Sequence, residues 1–147
     1  MHDQIEAHEP RPLGLTLLTG LYFFFFLVSA STFGNPFPFM GHIHTGTIAK
    51  SLVVLDCLIC LYLSIGTLKR QYLTWYLLLA YNFFEIMNTI INLNLLTTPE
   101  IESALGVHVS QDTMWVNNIA MALVILLLTQ FVYRSRRHFT NRQKYLF

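Results

Sequence analysis

Four long apolar runs, separated by short polar stretches, organise this chain. Residues 12–30 carry Leu15, Leu17, Leu18 and Leu21, then the unbroken block Phe23, Phe24, Phe25, Phe26, Leu27 and Val28. About 19 residues are just enough for a helix rising ~1.5 Å per residue to cross roughly 30 Å of hydrocarbon. Residues 47–66 form the second run, rich in Val53, Val54, Leu55, Leu58, Ile59, Leu61 and Leu63 but interrupted by Lys50 and Asp56. The third covers residues 72–96 and the fourth residues 115–133. The pattern therefore predicts an all-α integral membrane protein, a four-transmembrane-helix bundle forming one membrane domain over residues 1–147. Pro12 suits the first turn of the first helix, where its missing N–H costs nothing.

Charge orients this frame. Arg11 precedes the first run, Lys69 and Arg70 lie in the turn between the second and third, and Arg134, Arg136, Arg137, Arg142 and Lys144 follow the fourth. The loops 31–46 and 97–114 hold no Lys or Arg, whereas the second of them holds Glu100, Glu102 and Asp112. By the positive-inside rule the basic segments face the cytoplasm, which puts both termini there and both loops outside, in a multi-pass protein of the cytoplasmic (inner) membrane. Tyr72, Trp75, Tyr76 and Trp115 sit where aromatic side chains anchor helices at the interface. Ser29, Ala30 and Ser31 loosely resemble a signal-peptide cleavage site. The acids Asp3, Glu6 and Glu9 in the leading segment make an export signal the poorer expectation.

Composition agrees. Hydrophobic residues make up 54% of the chain and charged ones 12%, well under the roughly 25% charged fraction of soluble domains. A net charge of +1 and the clustering of the bases speak for topology and not for nucleic acid. The expected partners are the lipid bilayer and other membrane subunits or further copies of the chain. The tail residues Arg134, Arg136, Arg137, Arg142 and Lys144 are placed to meet anionic headgroups or a partner.

The loops are expected to lid the outer end. Residues 32–41 alternate Gly and Pro with Phe33, Phe37 and Phe39, which predicts an irregular segment dipping into the interface. In the other loop Thr98 is expected to cap a short helix, with Pro99 at its first position, Glu100 near its positive end and Gly106 as terminator. His42, His44 and His108 lie in these loops near Glu100, Glu102 and Asp112. Three imidazoles and a carboxylate are ligand types that zinc and copper use, but without a flanking signature ordinary loop histidines are the expectation.

The candidate site lies inside the membrane, where an ionised side chain costs several kcal/mol. Asp56 and Glu85 each fall near mid-helix in the second and third runs, so an antiparallel pair sets them level and able to share one proton. Tyr81, Asn82, Asn88, Thr89 and Asn92 recur around Glu85 at spacings of three and four, a polar stripe that must turn inward. Lys50 either snorkels to the interface or neutralises a carboxylate. Thr16, Thr19 and Gly20 are expected to allow close helix approach. Cys57 and Cys60 have a redox-like spacing, yet their apolar mid-helix setting beside Asp56 favours inert packing.

No phosphate-binding loop, zinc-protease helix, serine elbow or haem-ligating histidine pair is present in the sequence, and no cofactor is expected. The leading expectation is a non-catalytic accessory or structural subunit of a membrane complex with a buried polar site at Asp56 and Glu85. The first alternative is a proton- or cation-coupled small-solute transporter using the same acids with Asn82, Asn88, Asn92 and Lys50. The second is a thiol or histidine metal-handling protein.

Overall fold

The computed structural model describes residues 11–143 and 145. Among them the chain forms α1 (Leu13–Ser31), β1 (Phe37–Phe39), β2 (His42–His44), α2 (Gly46–Leu68), α3 (Tyr72–Leu95), α4 (Thr98–Leu105), α5 (Gln111–Arg134) and a final 3₁₀ turn at Ser135–His138. Three helices are long and apolar enough to cross a membrane, over Leu13–Ser31, Gly46–Leu68 and Gln111–His138. At 24 residues α3 matches them in length. Its amides at 82, 88, 92 and 94 and Glu85 dilute its apolar character.

α1 begins one residue later than Pro12, which acts as N-cap, its carbonyl accepting from the Leu15 and Thr16 amides. α5 starts a turn earlier than its apolar run, because Ser110 caps it by accepting from the Thr113 amide at 3.2 Å. α2 ends where Arg70 turns left-handed at φ 54°. The Arg70 amide then donates to Thr67 O and the Gln71 amide to Gly66 O, a Schellman closure with arginine and not glycine at its left-handed position. Arg70 is held in that conformation by its own Nε, which donates to His138 O at 2.8 Å.

α1 packs along α2 and α5 along α3, while α2 and α3 touch only sparingly. The core lies at the end of the helices near the 69–71 turn, where Leu15 and Leu18, Leu63, Trp75 and Leu78, and Val132 and Phe139 meet. Trp75 Nε1 donates to Val132 O at 2.9 Å and locks α3 to α5. The chain after α5 returns to this end: Asn141 N donates to Arg70 O, Asn141 O accepts from Tyr72 N, and Gln71 Nε2 donates to Tyr145 O. Close helix approach comes from Gly66, where a Cβ would collide with Thr74, and from Gly14 against the Phe131 ring. Gly20, expected in that role, has open space around it.

At the opposite end the segment expected to be irregular is a β-hairpin. β1 and β2 pair Phe37 with His44, Pro38 with Ile43 and Phe39 with His42. Met40 (φ 49°) and Gly41 (φ 79°) make the left-handed two-residue turn such hairpins favour. In this register Pro38 falls at a pair that exchanges no backbone bonds, so its missing N–H is not felt.

α4 also differs by one residue, being capped by Thr97 and not Thr98, with Gly106 (φ 67°) as terminator. Both the amide and the hydroxyl of Thr97 donate to Glu100 Oε2, at 2.9 and 2.8 Å. These bonds hold the Glu100 carboxyl below its usual range. A folded-state value below the unfolded one means the cap is complete above the ordinary glutamate range and is lost as pH falls through the lower folded value. The Thr97 amide NMR signal is expected to move over that acidic window, and Glu100→Gln to abolish the titration.

Candidate functional site

Because α2 and α3 diverge from their tight contact at Gly66, a cleft of about 580 Å³ opens between them toward the hairpin end. Its walls are Leu52, Leu55 and Ile59 of α2 and Leu77, Ala80 and Phe84 of α3, with Phe37 and Phe39 of β1 over its end. Into this apolar wall project Asp56, Tyr81, Glu85 and Asn88. Asp56 lies ten residues from the start of α2 and Glu85 ten from the end of α3, so both sit roughly 15 Å down their antiparallel helices.

The two acids are held differently. Asp56 accepts from Ser29 Oγ of α1 at 2.6 Å and from Tyr81 OH of α3 at 2.7 Å, joining three helices through one carboxylate. Tyr81 OH also lies 3.4 Å from Cys60 Sγ, which extends the chain of contacts into the buried face of α2. Among the described residues Glu85 takes no hydrogen bond and neither acid has an ion-pair partner; the ion pair present is His108 Nδ1 to Glu102 Oε1, at 2.5 Å.

The polar stripe of α3 divides by task. Asn82 turns away from the cleft, its Oδ1 accepting from Tyr22 OH of α1 at 2.5 Å, while its buried Nδ2 finds no partner among the described residues. Asn88 and Asn92 instead hold the hairpin: their Oδ1 atoms accept from the Met40 amide at 2.9 Å and the Gly41 amide at 2.7 Å. Turn amides set against apolar helices lack partners, and the side-chain amides supply them.

Lys50 Nζ lies 5.9 Å over the Phe33 ring and, among the described residues, forms an ion pair with neither acid. His42 and His44 are ring neighbours with centroids 6.4 Å apart, while His108 is engaged by Glu102. Among the described residues no three His, Cys, Asp or Glu side chains gather into a metal-ligating group. Cys57 and Cys60 are free thiols, Cys60 fully buried. In the tail Arg136 stacks over Trp75 at 5.1 Å and donates to Tyr72 OH at 2.6 Å, and Arg137 Nε lies 3.4 Å from His138 Nε2. Lys144 falls outside the described residues.

Ser29, noted in the sequence only for its likeness to a cleavage site, and Tyr22 belong to the polar network without having been expected there. The available signal was their position on the first apolar run, opposite polar positions of the second and third. Comparison with known proteins finds no matching family model, no matching curated protein and no matching solved structure.

Proposed function

We propose that this chain is a non-catalytic carrier of the cytoplasmic membrane, spanning it four times with both ends in the cytoplasm, that binds a small solute in the α2–α3 cleft and exchanges a proton at Glu85. The observation that carries this is Glu85 itself: a carboxyl without hydrogen bonds among the described residues, on the wall of an apolar cleft at mid-helix depth. A purely structural acid would be enclosed by donors, as Asp56 is by Ser29 and Tyr81. As a fourth span α3 has its polar positions 81, 82, 88 and 92 bonded to α2, α1 and the hairpin, which offsets its lower hydropathy. The basic 69–71 turn and the tail at one end, and the acidic α4 loop at the other, support the orientation.

An accessory-subunit or homo-oligomer role ranks second, favoured by the exposed row Met121, Val124 and Leu127 of α5, which fits a neighbouring helix as well as lipid. Metal handling draws no support from the scattered ligands.

Dicyclohexylcarbodiimide, an apolar reagent that couples to protonated carboxyls, tests the carrier role in native membranes. Peptide mass mapping is expected to find the adduct on Glu85, and Glu85→Gln to abolish it. Labelling confined to Glu100, Glu102 and Asp112, with Glu85 untouched, would sink the proposal.

A further inference from the structure

Resting on the carrier role proposed above, we infer that the cleft's solute is a lipophilic organic cation, an amine or onium ion bearing aromatic or alkyl groups. The acids set the sign. Two carboxyls share the cleft, and no Lys or Arg of the described residues is paired with either. Lys50 lies over Phe33, and Arg11 is bonded at the far end of α1 to Thr19 Oγ1 and Leu15 O. An anion would be repelled once either acid ionises, and a neutral solute could not take the place of the Glu85 proton, whereas a cation can compensate the carboxylate that losing that proton leaves in a setting of low dielectric.

The wall sets the class. Hard inorganic cations need six or more oxygens in place of their water. Here both Asp56 oxygens already accept bonds from Ser29 and Tyr81 and Asn88 Oδ1 accepts from the Met40 amide, which leaves Glu85 and the Tyr62 and Tyr81 hydroxyls as the oxygen groups of the lining, too few for such an ion. What the cleft offers in quantity is aromatic side chains, from Phe37, Phe39, Tyr62, Tyr81 and Phe84. Aromatic rings attract a desolvated organic cation through the negative charge of their faces. The volume of about 580 Å³ lies within the roughly 300–1,000 Å³ of small-molecule sites. Binding then balances as an exchange: the cation enters, the Glu85 carboxyl gives up its proton to solvent, and the new ion pair stays neutral overall.

The test is equilibrium binding of tritiated tetraphenylphosphonium to the full chain in lipid nanodiscs. Expected are saturable binding that weakens as pH is lowered, and displacement by neutral triphenylphosphine oxide that is about tenfold or more weaker than by the unlabelled cation. Glu85→Gln is expected to lower affinity by about tenfold or more without moving the melting temperature. Equal competition by the oxide, or unchanged affinity in Glu85→Gln, overturns the inference. Should that variant not fold, the competition pair on the native chain decides alone. Carbodiimide labelling of Glu85 without saturable tetraphenylphosphonium binding would reject the cation and leave the carrier role standing; loss of both would reject both.

Discussion

Gly66→Ala is expected to lower stability by about 1–3 kcal/mol, the usual cost of forcing an extra methyl into a filled contact. A Cβ at this position would overlap Thr74 Oγ1 and stand 2.9 Å from Thr74 Cβ and Cγ2. Thr74 has nowhere to go. It is fully buried, its hydroxyl donates to Gln71 Oε1 at 3.2 Å, and the Gln71 side chain is tied in turn to Tyr145 O. The Gly66 carbonyl also closes the Schellman turn, so a shift of α2 would strain the connection to α3. The apparent melting temperature in a mild detergent reads the loss. In Gly66→Ala the further change Thr74→Ala removes the two offending terminal atoms and is expected to restore part of the stability, although Thr74→Ala alone costs some. Coupling of the two substitutions by more than about 0.5 kcal/mol marks the contact as direct. A Gly66→Ala protein that melts with the native one would show that α2 and α3 do not approach so closely.

The helices were legible in the sequence because hydrocarbon leaves the backbone no alternative, and apolar runs of this length report it directly. Three of the four runs reappear as helices long and apolar enough to span. The hairpin was hidden because its signals conflict: Pro38 speaks against a strand, and Met40 is a poor residue for a left-handed turn position. Both become tolerable through long-range facts, the register that spares Pro38 a backbone bond and the Asn88 and Asn92 side chains that receive the turn amides. The amide stripe was visible at helical spacing, but period alone could not tell which amide faces α1 and which the hairpin. The level placement of Asp56 and Glu85 followed from antiparallel helices and a short turn. Their unequal bonding did not, since the donor Ser29 comes from another helix and Tyr81 reaches across from α3.

That inequality predicts opposite outcomes for the two acids. Asp56→Leu removes the acceptor of two hydroxyls, those of Ser29 and Tyr81, that now donate to one carboxylate across three helices, and leaves Tyr81 only its weak contact with Cys60 Sγ. In soluble proteins each orphaned buried group costs about 1–3 kcal/mol, but bonds between membrane helices average about 0.6 and reach about 1.7 kcal/mol. The lower scale governs here, and the expected loss is about 1–3 kcal/mol for the pair. Asp56→Asn keeps a carbonyl oxygen for Tyr81, and the Ser29 hydroxyl can rotate to accept from the new amide, so less than about 1 kcal/mol is expected. Glu85→Gln removes no hydrogen bond among the described residues and replaces a carboxyl by a neutral group of equal size, so its melting temperature should match the native one while ligand binding falls. Thermal unfolding of the three variants in one detergent, set beside their tetraphenylphosphonium affinities, separates the roles. If Glu85→Gln were the least stable of the three, Glu85 would be the structural acid, and the division between a scaffold carboxylate at 56 and an exchangeable one at 85 would be wrong.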